Sequence, residues 1–258
     1  MTAPLADLVD WASGQFWIGF AVLLRVGAMM ALLPAFGEQA VPARVKVAVT
    51  LAATLVVAPA LAPEIGPMPA SQAMLGRILI AEVATGLLFG LLLRFSIMAL
   101  ATAGALIGQG LSLAQMFGAG PASEPLPVFS HLLVGAGLAL AAALGLHVQA
   151  VGYILGSYTP VPFGTGLSGE IALTEVLRGI VACFGTALAL AAPFLIATLV
   201  YNLAIGAINR AMPQLMVTFI GAPLLTAGGL ALLCIAAPAG LAHWAELLAA
   251  TIATGAAP

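Results

Sequence analysis

Charge is what this sequence has least of. Lys and Arg together number 7 and Asp and Glu 9 in 258 residues, so charged side chains make up 6% of the chain. An ordinary soluble domain carries about 25%. A packed globule of this composition would have almost nothing polar to cover its outside, which excludes a water-soluble fold. The net charge of −2 also excludes the basic stripe that neutralises phosphates, so no nucleic acid is expected as a partner.

Cysteine is nearly absent too. Cys183 and Cys234 both lie inside apolar runs, where they read as small buried hydrophobes rather than a disulfide or metal pair. His131, His147 and His243 are scattered and no His-Glu-x-x-His occurs, so zinc hydrolysis has no support. No ATP site, redox cofactor or metal is called for. The opening "MTAPLADLVDW" lacks a basic n-region and carries Asp7 and Asp10. It does not read as a cleaved signal peptide, and the first apolar run is expected to stay in the mature protein. An alternating strand pattern is missing, as is any visible repeat between the two halves.

What is present is apolar residue in long runs, 63% of the chain. About 20 apolar residues in a helix cross a bilayer core of roughly 30 Å. By that ruler the runs are Phe16–Leu33, Val45–Leu61, Ile78–Leu93, Ile97–Gly108, Val128–Leu155, Val176–Ile208 and Leu215–Ala237, with a weakly amphipathic last piece, Ala239–Ala253. The third and fourth can be one long helix interrupted at Arg94. A backbone in lipid must satisfy its own hydrogen bonds, so all are expected to be helical. The fold class is all-α: a polytopic membrane protein of about six apolar helical segments, several kinked or broken. The connections "PAFGEQAVPARVK", "APALAPEIGPMPASQ", "FGAGPASEPLP" and "SYTPVPFGTGLSGE" are rich in Pro and Gly, which stop helices and set turns. None is long enough to be a soluble domain, leaving one membrane domain.

Arg44 and Lys46 lie in the first connection, whereas the N-terminal tail and second connection hold only Asp7, Asp10 and Glu64. The positive-inside rule places the first connection in the cytoplasm and the N-terminus outside. The sequences "GLLFG", "GALIG" and "GYILG" match the GxxxG contact pattern. With 29 glycines in the chain the pattern alone carries no information, although the abundance of Ala and Gly lets helices approach closely.

Few polar groups interrupt the apolar runs. Arg25 falls within the first helix and Glu82 early in the third. A charge at the bilayer centre costs about 2.5–3.5 kcal/mol on insertion scales, so each asks for a partner. Pairing the two is the economical expectation; the alternative is that each snorkels or meets a backbone carbonyl. In "YNLAIGAINRAMPQLM", Asn202 and Asn209 are two helical turns apart and share a face with Gly206 between them. Arg210 ends that helix, where its charge complements the dipole. Pro213 forces a break and Gln214 opens the next helix. This is a polar elbow between two apolar helices, or else an ordinary positively charged cytoplasmic turn.

These residues resemble those of a known family. "NLAIGAINRAMPQLMV" resembles the most recognisable stretch of the FliR family, the flagellar export-gate protein, and its injectisome counterpart. "LLRVGAMMALLPAFGEQAVPARVKVAVTLAATLVVAP" is similar to that family's opening pattern, with Arg25, then Pro34, Phe36 and Gly37, then Pro42, Arg44 and Lys46. "TAGALIGQGLSLAQMFGAGPASEPLPVFSHLL" resembles its central loop and following helix. The chain departs from the family at Ala105, where many relatives are acidic, and at Gly118 and Ala119, where Asp-Pro is common.

The resemblance, which runs from about Phe16 to Leu233, implies a structural subunit of the type III export gate in the bacterial inner membrane, within the flagellar basal body. It implies a hetero-oligomer with FliP- and FliQ-type subunits. FlhB- and FlhA-type export proteins, unfolded exported chains in transit and membrane lipid are the other implied partners. It implies a chain like a fusion of a FliP-like part, about 1–170, and a FliQ-like part, 171–258, built of helical hairpins. It places a plug loop at roughly Gly108–Ala122, with Gln109, Gln115, Met116 and Phe117 closing the channel. Flexible Met and Phe can seal a narrow pore, and the glycines of that loop allow it to move; the plainer reading is a Gly-rich membrane loop with no gating part. The injectisome counterpart remains an alternative apparatus.

Two other classes compete. "GLSG", Gly166 to Gly169, has the form of an intramembrane serine protease motif with His243 as a distant base. Ser168 reads more simply as a helix N-cap before Glu170 and Thr174. A small-molecule transporter would suit buried Arg and Glu beside broken helices, but the missing repeat weakens it.

Overall fold

The computed structural model describes residues 3–38, 41–65, 71–116, 127–211 and 217–255; of 3–10, 111–116, 127, 217–224 and 226 only the backbone is described. Among these residues all regular structure is helical. The helices are α1 (Ala3–Leu32), α2 (Ala43–Leu61), α3 (Gln72–Met116), α4 (Pro127–Ala143), α5 (Leu146–Gly156), α6 (Gly169–Ala211) and α7 (Val217–Thr254). Five are long and apolar enough to cross a membrane, or six if the bent pair α4 and α5 counts as one span. The chain is a polytopic helical membrane protein.

Three boundaries differ from the sequence expectation. First, α3 does not stop at Arg94 but runs unbroken from Gln72 to Met116. Arg94 is neutralised by an ion pair with Glu38, so its charge gives no reason to end the helix. The same helix carries Gly108 to Met116, the first part of the expected plug loop. Second, the run Val128–Leu155 breaks after Ala143, where Gly145 takes the left-handed conformation at φ 78° and starts α5. A side chain there would be strained. Third, from Val217 onward the pieces expected as Leu215–Ala237 and Ala239–Ala253 belong to one helix, α7, that passes through Pro238, Leu215 and Met216 lying outside the described residues.

The chain divides into two compact units. The first comprises Met1–Arg94, Leu144–Gly179 and Ala250–Pro258. Here α1 and α2 form a hairpin, and α3 packs on α1 with very close backbones. A Cβ on Gly86 would lie 2.4 Å from the Arg25 carbonyl oxygen, and one on Gly90 2.8 Å from that of Met29. "GLLFG" is therefore a working small-residue contact. In "GYILG", by contrast, Gly152 and Gly156 have nothing within 4 Å of such a Cβ. Tyr153 of α5 donates its hydroxyl to the Phe89 carbonyl at 3.0 Å, with the two rings edge to face at 5.8 Å.

The second unit comprises Phe95–Ala143 and Ile180–Ala249. Trp244, 1% exposed, donates its indole N–H to the Ser96 carbonyl at 2.8 Å. That bond satisfies the one polar atom of a large buried ring. Gly104 lets α4 approach α3, because a Cβ there would meet Ser130 Cα at 2.4 Å. The Ser130 hydroxyl then donates to the Ala101 carbonyl at 2.8 Å.

Candidate functional site

The most developed polar site lies inside the first unit. Arg25 projects from the last third of α1 and Glu82 from the first quarter of α3, and both are 0% exposed. Arg25 Nε donates to Glu82 Oε2 at 2.7 Å and Nη2 to Oε1 at 2.9 Å. This two-point geometry matches the planar fork of the guanidinium to the carboxylate, the strong form of such a pair. Nη1 reaches the carbonyls of Ser157 at 3.2 Å and Val161 at 2.9 Å. The guanidinium also lies 3.8 Å from the centre of the Tyr158 ring, a cation–π contact strengthened by desolvation. Glu82 Oε1 accepts a further bond from the Gly164 N–H at 2.8 Å.

Both readings of Arg25 thus hold at once: it pairs with Glu82 and it also meets backbone carbonyls. The chemical consequence is structural. Burying two charges is repaid only when the geometry is good and the remaining hydrogen-bond capacity is used. Here that capacity is spent on the connection 157–164, which is tied to α1 and α3 through backbone atoms. Sequence reading missed Ser157, Tyr158, Val161 and Gly164, since carbonyl and N–H partners leave no residue signature. Burial pushes the Tyr158 hydroxyl above its ordinary range, against the opposing Arg25 charge, so it stays protonated. That hydroxyl has no hydrogen-bond partner among the described residues.

A second ion pair joins Arg94 of α3 to Glu38, just beyond α1, and both are partly exposed. The two pairs have opposite polarity: α1 and its extension supply Arg25 then Glu38, and α3 supplies Glu82 then Arg94. The helices consequently run parallel. An antiparallel arrangement would set Arg25 against Arg94 and Glu38 against Glu82, so the charge order specifies orientation and register.

The N-terminal motif builds the turn that carries Glu38. Pro34 is buried, Phe36 half-buried, and Ala35 takes φ 68°. Gly37 fits because a Cβ there would meet the Ala31 carbonyl oxygen at 2.5 Å, and its N–H donates to the Leu33 carbonyl at 2.8 Å. Lys46 Nζ donates to the Gly37 carbonyl at 3.2 Å. Pro42 is the N-cap position of α2, and Arg44 in its first turn is exposed.

The other expected site residues are not brought to this place. Gln109 is exposed on the last turns of α3; Gln115 and Met116 end that helix with side chains outside the described ones, and Phe117 lies outside the described residues. In the elbow, α6 continues to Ala211, so Asn202, Gly206 and Asn209 do share a face. Asn202 and Asn209 are half-buried, and Gly206 and Arg210 are exposed. Arg210 lies in the last turn of α6; Pro213 and Gln214 lie outside the described residues. The serine of "GLSG" accepts the Ile171 N–H at 3.4 Å, capping α6.

Comparison with known proteins bears on the whole chain rather than on one site. The profile of the family "Bacterial export proteins, family 1" matches residues 16–251. The chain is 32% identical over 225 residues to the flagellar biosynthetic protein FliR of Caulobacter vibrioides, covering 86% of this chain and 88% of that protein. It is 28% identical over 231 residues to the FliR protein of Escherichia coli, covering 89% and 86%. The FliR protein of Pectobacterium carotovorum is 28% identical over 227 residues, with 86% and 84% covered.

Proposed function

This chain belongs to the FliR family of bacterial export proteins, and on that premise we propose that it is a structural subunit of the flagellar type III protein export gate. It forms, with FliP- and FliQ-type chains, the channel through which unfolded flagellar proteins leave the cell. The coarser statement is plain: the chain is a membrane-embedded component of a flagellar export apparatus. The observation that supports the finer one is the family match over residues 16–251, which takes in all of α2 to α6 and most of α1 and α7.

The physics supports an assembly role. Large apolar side chains such as Leu55, Val181, Ile196 and Ile235 stand more than half exposed, a surface that needs lipid or neighbouring apolar helices. The hydrogen-bonding capacity of the buried Arg25–Glu82 pair is spent on fastening the chain's own backbone, and Ser168 is occupied as a cap. The chain acts as a scaffold, and energy for export comes from partners, FlhB- and FlhA-type proteins among them. Gln109, Gln115, Met116 and Phe117 belong to the plug. Asn202, Gly206, Asn209, Arg210, Pro213 and Gln214 form the elbow that docks on neighbouring subunits. The location is the bacterial inner membrane, at the flagellar basal body. A FliP-like part to about residue 170 and a FliQ-like remainder belong to the same proposal.

Mass spectrometry of the complex co-purified on a tag at Pro258, from gently solubilised native membranes, tests this reading. Recovery with FliP- and FliQ-type chains of a flagellar operon is the expected result. Recovery with injectisome chains would reassign the apparatus. A self-oligomer that cleaves or transports a small molecule would overturn the gate reading.

A further inference from the structure

The chain has seven Lys and Arg, and three of them, Arg25, Arg94 and Arg178, are paired with Glu82, Glu38 and Glu175. Arg44 and Lys46 have no carboxylate partner among the described residues, and they stand together in the first turn of α2. No acidic residue occupies that turn and no side chain caps it. Two uncompensated cations therefore coincide with the positive end of a helix dipole.

Lys46 also lines one end of a groove of about 360 Å³ between α1 and α2. Away from Lys46 its walls are apolar except for Thr50: Leu23, Gly27 and Met30 on α1, Val47 and Leu51 on α2. Leu23, Gly27 and Met30 follow the i, i+4, i+7 spacing of one helix face, so the groove runs along the helix axes. Its floor stays open because position 27 is glycine; a Cβ there would already be 3.7 Å from Thr50 Cγ2. The result is amphiphile-shaped: a cationic mouth at the α1–α2 connection and an apolar trough leading into the membrane-spanning length.

We infer that the α1–α2 groove is a binding site for an anionic phospholipid, one acyl chain lying along Leu23, Gly27 and Met30 and the phosphate meeting Lys46 and Arg44. Charge complementarity selects this occupant. An apolar helix of a partner protein would leave the cationic mouth unanswered, and a zwitterionic lipid would answer it only in part. The positive-inside rule places this mouth at the cytoplasmic face, where anionic headgroups attract basic side chains at the membrane surface. The inference requires only that the chain is in a membrane, so it stands or falls separately from the export-gate reading.

The test uses the full-length tagged chain with whatever accompanies it, purified in mild detergent and examined by native mass spectrometry. The probes are mixed micelles containing phosphatidylglycerol or phosphatidylcholine. The parent is expected to retain phosphatidylglycerol in preference. Lys46→Gln, which leaves Arg44 in place, should weaken phosphatidylglycerol retention roughly fivefold, the worth of one surface cation, and leave phosphatidylcholine unchanged. Lys46→Arg should restore it. Gly27→Leu, which fills the trough, should reduce retention of both lipids. Equal retention by the parent, Lys46→Gln and Gly27→Leu would overturn the site. So would Gly27→Leu releasing a co-purifying protein while lipid retention holds, because the groove would then be a protein-docking face. If Gly27→Leu does not fold, the Lys46 pair of variants decides the question alone.

Discussion

Arg25 and Glu82 lie 57 residues apart in the chain and meet in a fully buried, two-point ion pair, 2.7 and 2.9 Å across. The pair does more than cancel two charges inside an apolar helix bundle. Through the carbonyls of Ser157 and Val161 and the N–H of Gly164 it holds an irregular connection against α1 and α3. Irregular backbone at such a place is tolerable only when its polar groups are answered, and here the ion pair answers them.

Removing one partner strands the other. Arg25→Met is expected to destabilise the folded chain by about 3–5 kcal/mol, whereas Arg25→Met combined with Glu82→Leu should recover most of that loss. Thermal unfolding in detergent measures both. A double variant as damaged as the single one would show that the connection depends on the charges themselves rather than on their mutual compensation.

The outer pair should behave differently. Arg94 and Glu38 are partly exposed, and such pairs contribute about 0.2–1 kcal/mol. Arg94→Ala should therefore cost far less than Arg25→Met under identical conditions. Comparable losses would contradict the view that burial sets the difference.

Two of the three GxxxG sequences, "GLLFG" and "GYILG", can be ranked. Gly86→Ala forces a methyl to within 2.4 Å of the Arg25 carbonyl oxygen and should cost about 1–3 kcal/mol as overpacking. Gly152→Ala meets nothing within 4 Å and should be neutral or gain up to about 1 kcal/mol in helix propensity. Equal melting temperatures for the two variants would remove the close α1–α3 contact from the account.

Tyr158 separates ring from hydroxyl. Its ring lies over the Arg25 guanidinium while its buried hydroxyl lacks a partner among the described residues. Tyr158→Phe keeps the ring, removes the orphan, and should be neutral or stabilising by up to about 1–3 kcal/mol. Tyr158→Leu loses the cation–π contact and should destabilise. A Phe variant less stable than the Leu variant would reverse this assignment.

Ser168 distinguishes a scaffold from a protease. As a cap, its replacement by Ala should cost about 0.5–2 kcal/mol, and swimming motility of the host should persist. Complete loss of activity with the fold and complex intact would reopen a nucleophilic role.

How far the site was legible follows from the kind of signal each residue leaves. Arg25 and Glu82 were visible as charges in apolar runs, because insertion cost marks them without knowledge of the fold. Their partners on 157–164 were not, since a carbonyl or N–H is offered by any residue and only position selects it. Arg94 was read as an interruption because its partner Glu38 is distant in sequence. The break at Gly145 was hidden in a continuous apolar run, where glycine is too common for one instance to mark a left-handed turn. For the plug loop, its first part proved to be helix.

By itself the sequence determined the class of the molecule, the material of its helices and its family. Composition and local motifs accumulate along the chain and require no knowledge of what meets what. Tertiary structure alone decided which glycines touch, which carboxylate answers which arginine, and that α1 and α3 lie parallel. Those outcomes depend on pairs far apart in sequence, and a pair interaction has no energy until the fold brings its members within reach.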